Sequence, residues 1–143
     1  MSGTVIVGVD GSTTSFKAAS RAATVAAGLG ATLTVVTAYA KDSTEVVEIG
    51  NDTWVLDSAE QADKLTNQVA FKLREVVPGA KIVTKAVKGK PTEALVKAAE
   101  EEEAQLIVVG NVGMKGLGRV LGSVATSVAH NSPCDVYVVK TDA

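Results

Sequence analysis

Short runs rich in valine and isoleucine, separated by stretches with helical spacing, recur five times along this chain. That alternation leaves few folds open. The runs are Val5–Val9, Leu33–Tyr39, Lys81–Val87, Leu106–Val109 and Asp135–Lys140. A short, nearly continuous apolar run marks a strand buried on both faces, and β-branched residues suit it. After the first run, Phe16, Ala19, Ala22, Ala23, Ala26 and Ala27 fall at helical spacing behind a cap offered by Ser12, Thr13 or Thr14, and Gly28 and Gly30 stop that helix. Ser58 caps a second predicted helix through Val77, ended by Pro78-Gly79. Pro91 opens a third that runs into Glu100–Glu103, and a fourth lies near Arg119–Asn131. The polar stretch Lys41–Asp57, with the only tryptophan (Trp54), shows no clear period and reads as a long surface excursion. Strands alternating with helices imply right-handed crossovers and a parallel sheet of about five strands, an α/β fold with about four helices.

At 143 residues the chain is the size of one domain, 1–143, with no repeat or linker. Aromatics make up only 3%, so the core must be built from Val, Ala, Leu and Ile. A net charge of −2 argues against nucleic acid or an anionic membrane as main partner. No apolar run approaches the roughly 18 residues of a membrane span, and Met1–Asp10 lacks the charged start and long apolar stretch of a signal peptide. The single cysteine, Cys134, cannot form an internal disulfide. The expectation is a cytoplasmic protein.

In an open parallel sheet, ligands bind beyond the carboxyl ends of the strands, where the strand order reverses. Two loops stand at such ends. One is Gly8-Val9-Asp10-Gly11-Ser12 after the first strand. The other is Gly110-Asn111-Val112-Gly113 after the fourth, followed eight residues later by Gly122-Ser123. Glycines let backbone approach a ligand and turn N–H groups inward, and the following helix N-terminus favours anions. Ser123 adds a hydroxyl. A single glycine often makes only a turn. Gly110, Gly113, Gly116, Gly118 and Gly122 all follow one buried strand. Each costs roughly 0.5–1 kcal/mol relative to alanine where it lies in regular structure, so as a set they point to phosphate.

Known phosphate motifs narrow this further. The Walker pattern G-x-x-x-x-G-K-[ST] is absent. A dinucleotide fingerprint should follow the first strand, whereas Gly116-x-Gly118 follows the fourth. A flavin site would use Ser12–Ser15 and want aromatics, of which only Trp54 and Tyr39 are remotely placed. A phospho-accepting receiver needs paired acids at the first strand, where only Asp10 stands.

The opening V-I-V-G-V-D-G-S, together with G-N-V-G and G-S-V before the last strand, resembles the universal stress protein family. The likeness extends over essentially the whole chain, including the K-G-K-P-T-E-A-L turn into the third helix. It implies a single doubly wound, Rossmann-like domain of the adenine nucleotide alpha hydrolase-like type, its parallel sheet ordered 3-2-1-4-5. It implies an adenine nucleotide, ATP or cyclic AMP, as ligand, with Mg2+ accompanying ATP. Gly8, Val9 and Asp10 match the end of strand one near ribose and adenine. Ala38 matches a residue after strand two whose backbone faces adenine. Val109 and Gly110 match the nucleoside edge. Asn111, Gly113, Met114, Gly122, Ser123 and Val124 fall on the phosphate segment. Members that bind ATP carry G-x2-G-x9-G-[ST], and here the second gap, Met114–Leu121, is eight residues. The Ala38-Tyr39 pair and the G-N-V-G segment resemble the cyclic-AMP-binding branch. The last strand, Val136, Tyr137, Val138 and Val139, matches the edge through which members pair as homodimers, and an open apolar edge favours association in any case.

Other polar groups carry less. Asp10 can cap the first helix or bond its own tight turn, and a ligand role is compatible with either. His130 reads as a helix-end residue, Cys134 as a buried inert thiol, and Glu100–Glu103 as a solvated helix end. Lys88, Lys90, Lys115 and Arg119 are the cations nearest the proposed site, with Lys115 or Arg119 favoured for phosphate contact. No nucleophile–base pair, metal-ligand spacing or general base can be assembled, so the expected function is a nucleotide-binding regulatory module rather than an enzyme. The alternatives are a weak ATPase or nucleotide-processing hydrolase, and a dimeric interaction module with a degenerate site.

Overall fold

The computed structural model describes residues 3–39, 44–49, 52–111 and 122–141, with 44–49 and 52–58 described as backbone. In chain order the elements are β1 (Thr4–Gly8), α1 (Thr13–Leu29), β2 (Thr32–Tyr39), β3 (Thr44–Ile49), β4 (Asp52–Asp57), α2 (Ser58–Val76), β5 (Lys81–Lys88), α3 (Pro91–Glu101), β6 (Leu106–Gly110), α4 (Ser123–Asn131) and β7 (Asp135–Val139).

Five strands form one sheet in the order β5-β2-β1-β6-β7. Every pairing in it is parallel. Counting only these strands, this is the 3-2-1-4-5 order expected from the family likeness. Period-two alternation explains why the strands read as continuous apolar runs. In β1, Val5 and Val7 face one core with α1 and α2, while Ile6 faces the other with α3 and α4. Both sides of each central strand are covered, so no position needs to be polar. Alanines 18, 19, 22, 23 and 26 of α1 are fully buried. Their small side chains let the helix lie close on valine-rich strands, which is how a chain with so few aromatics closes its core.

The stretch Lys41–Asp57, read as a long surface excursion without clear period, carries regular structure that the sequence reading did not identify. It contains an antiparallel pair, β3 with β4, in register from Thr44↔Asp57 to Ile49↔Asp52. The signal was present in β-formers, Val46, Val47 and Ile49 against Thr53, Trp54 and Val55, on either side of Gly50-Asn51, a dipeptide typical of two-residue hairpins. The alternation is broken by adjacent valines, so the period was missed. The predicted start of the fourth helix, Arg119–Leu121, lies outside the described residues.

Candidate functional site

The chain crosses from β1 to β2 on one side and later returns to β6 on the other side of β1, so the strand order reverses between β1 and β6. A cavity of about 340 Å³ opens at the carboxyl ends of these strands. That is within the roughly 300–1,000 Å³ typical of small-molecule sites.

One wall is built by unequal strand lengths. The last rung of β1 is Gly8↔Val36, and Val9 N–H adds a bond to Val36 O at 2.9 Å. Strand β2 continues to Tyr39, whose carbonyl accepts from Gly89 N–H at 2.9 Å on the β5 side. Backbone groups alternate sides along a strand, so the N–H and C=O of Ala38 face the β1 side, where β1 has already ended. An amide donor and a carbonyl acceptor are thereby presented to the cavity.

The second wall is the turn into α1. Gly11 adopts φ 88°, the left-handed region where a side chain is strained, and Leu65 of α2 lies against it. Ser12 N–H donates to Asp10 Oδ1 at 2.9 Å, while Ser12 Oγ accepts from Ser15 N–H at 3.1 Å and caps the helix. Asp10 N–H reaches Ser15 Oγ at 3.3 Å, and that hydroxyl donates to Ser12 O at 3.0 Å. Partial burial pushes the Asp10 carboxyl up, but the polar turn around it, Ser12 above all, outweighs burial, and the group lies below its ordinary value. It is a carboxylate at neutral pH. Ser12, not Asp10, is the helix cap, and Asp10 holds the turn.

The third wall is the end of β6 and the start of α4. Asn111 joins them: its N–H donates to Val139 O at 2.9 Å, and its carbonyl accepts from Gly122 N–H at 3.1 Å. The end of β6 and the start of α4 are thus tied directly by one hydrogen bond. Gly122 caps α4 without a side-chain bond. The first amides of α4 therefore have no partner within their own helix and favour an anion.

Of the residues the sequence singled out, Gly8, Val9, Asp10, Ala38, Val109, Gly110 and Val124 line the cavity. Asn111, Gly122 and Ser123 flank it through the α4 junction. Gly113 and Met114, with Lys115 and Arg119, lie outside the described residues. The structure adds walls that no motif marked, Leu65 from α2 and Thr141 from the segment after β7, and brings in Leu95 of α3, the last residue of the K-G-K-P-T-E-A-L turn, which was not singled out as a site residue. Thr141 is buried, 2% exposed, and Lys17 Nζ donates to its carbonyl at 3.4 Å. Lys17 is therefore a cation beside the cavity, while Lys88, at the end of β5, and Lys90, just before α3, are exposed.

His130 is exposed at the end of α4. Cys134 is half-buried rather than buried, its sulfur 3.6 Å from Ser132 Oγ. The Glu100–Glu103 run is not merely solvated. Glu102 Oε1 accepts from the buried Thr34 hydroxyl at 2.7 Å, and Lys85 bridges Glu101 and Glu102 at 3.0 and 3.5 Å. Among the described residues no group of three His, Cys, Asp or Glu side chains is placed to hold a metal, and no helix is long and apolar enough to cross a membrane.

Comparison with known proteins agrees with this architecture. The model of the universal stress protein family matches residues 1–140. A universal stress protein of Mycobacterium tuberculosis is 36% identical over 143 residues, covering 96% of each chain. One from Methanocaldococcus jannaschii is 34% identical over 141 residues, 95% of this chain and 81% of that protein. A universal stress protein crystallised in complex with cAMP superposes with a TM-score of 0.75 at 35% identity, covering 99% of this chain and 98% of the other. The chain belongs to the universal stress protein family.

Proposed function

We propose that this universal stress protein binds an adenine nucleotide in the cavity at the β1/β6 switch point, cyclic AMP in preference to ATP, and acts by binding rather than by turnover. The observation that carries the reading is one cavity bordered by the exposed backbone of Ala38, the Asp10 carboxylate and the N-terminus of α4. These are complementary to an adenine edge, ribose hydroxyls and a phosphate. Val9 and Val109 supply apolar surface at the nucleoside, with Gly8 and Gly110 allowing close approach. Asn111, Gly113, Met114, Gly122, Ser123 and Val124 are assigned to the phosphate. Cyclic AMP is favoured because the relative at 35% identity is a cAMP complex and the segment between Gly113 and Gly122 is eight residues, one short of the pattern of ATP-binding members. Mg2+ would enter only on the phosphates of ATP.

The protein is further read as a cytoplasmic homodimer that pairs through β7. That strand is an edge of the sheet, and Val136, Tyr137 and Val138 stay half-exposed there. Competitive titration calorimetry of cyclic AMP against ATP on one sample tests the ligand assignment. Tighter binding of cyclic AMP is expected. No heat with either nucleotide, together with no nucleotide released from the denatured protein, refutes the reading. Turnover of ATP faster than about 1 s⁻¹, the low end for ordinary enzymes, would instead favour a hydrolase.

A further inference from the structure

Thr141 belongs to no nucleotide motif, yet it is buried in the wall of the cavity and makes two bonds to one atom. Its N–H donates to Asn111 Oδ1 at 2.7 Å and its Oγ1 donates to the same oxygen at 3.2 Å. Its methyl group is 3.4 Å from where a Cβ on Gly110 would stand. Asn111 in turn holds Gly122, and through it the start of α4, by its backbone carbonyl. Lys17 steadies Thr141 from α1. Four elements thus meet at one partly buried clasp, on the side of the cavity where β6 ends and α4 begins.

We infer that Thr141 is a positioning residue for phosphate recognition: its hydroxyl orients Asn111, which fixes the junction of Gly110 with Gly122 and so the anion-binding amides of α4. The inference rests on the proposed nucleotide site. It goes beyond it by placing phosphate selectivity partly in the segment after β7, which touches neither glycine motif in sequence. The physical basis is preorganisation. A junction already held needs no ordering when phosphate arrives, whereas a loosened one must be ordered at the expense of affinity. Adenosine carries no phosphate and is read by the β1 and β2 walls, so it should not sense the clasp.

Affinities of cyclic AMP and adenosine, measured by calorimetry for wild type, Thr141→Val and Thr141→Ser, test this. Thr141→Val keeps the shape and removes the hydroxyl. It should weaken cyclic AMP by roughly tenfold, the scale of one buried hydrogen bond, and leave adenosine within about twofold. Thr141→Ser should restore wild-type affinity for cyclic AMP. Equal weakening of both ligands would show a merely structural role, and unchanged cyclic AMP affinity would show no role; either overturns the inference while leaving the nucleotide reading intact. A wild-type protein that binds neither ligand overturns both. Should Thr141→Val not fold by circular dichroism, Thr141→Ala, which demands no new space, is read by the same ratio of affinities.

Discussion

Gly8→Ala separates the packing of the cavity from the stability of the fold. A Cβ built on Gly8 meets Leu95 Cδ2 at 3.0 Å and Cδ1 at 3.3 Å. Ordinary carbon contacts begin near ~3.5 Å, so the Leu95 methyls must withdraw by about 0.5 Å. Gly8 is not among the glycines with positive φ, so alanine accepts its backbone. Leu95 borders the cavity, so it has room to turn into open space rather than into packed core. Driving Leu95 off its rotamer costs about 0.5–1.5 kcal/mol, and the stiffer unfolded chain returns about 0.4–1 kcal/mol. The two nearly cancel. With an unfolding entropy of about 0.3 kcal/mol/K for a chain this size, Tm should stay within about 4 °C of wild type. A bound nucleotide removes that freedom, because Leu95 has moved into its space. Overpacking of about 1–3 kcal/mol then appears at binding, a loss of roughly 5- to 150-fold in cyclic AMP affinity. Differential scanning calorimetry and titration calorimetry on the same preparation measure both. Adding Leu95→Val should recover much of the affinity. A Tm drop beyond about 10 °C, or affinity equal to wild type, would refute the argument that Leu95 yields into the cavity.

Ser12→Ala removes the side-chain cap of α1 and should lower stability by about 1 kcal/mol in urea denaturation, whereas Ser12→Gly should cost only a few tenths. The Asp10 carboxyl lies below its ordinary value in the folded state. Its stabilising contribution is therefore complete above the unfolded value of about 3.9 and is lost as pH falls through the folded value. Asp10→Asn should accordingly flatten part of the acid limb of the urea midpoint below about pH 4, by a small amount because the group is largely solvated; identical pH profiles would contradict the hydrogen-bond account. Val139 O is bonded toward β6, so by alternation the Val138 N–H points to the open edge. Val138→Pro should then keep the sheet and abolish pairing of two copies, giving a monomer by light scattering; a persisting dimer would place its interface elsewhere.

Much of this molecule was legible from local chemistry. The runs Val5–Val9 and Leu106–Val109 announced strands covered on both faces, and the Gly30 stop and Pro91 start bounded helices as expected. Gly8, Asp10 and Gly110 pointed to the switch point because loops at strand ends are where ligands go. The β3–β4 hairpin was missed because adjacent valines obscured its period, and Glu102 was misread because nothing near it in sequence reveals a buried Thr34 68 residues away.

What the sequence alone determined is the layered α/β frame, since periodicity and turn chemistry act over a few residues. The completed cavity was decided only by tertiary structure. Leu65, Leu95 and Thr141 reach it because strand register and crossover handedness bring distant segments to one end of the sheet. Lys17 and Thr141, 124 residues apart, meet there only because β7 is in register with β6, from Leu106↔Asp135 to Gly110↔Val139. Contacts at that separation depend on how the layers stack, which no local pattern of residue types encodes.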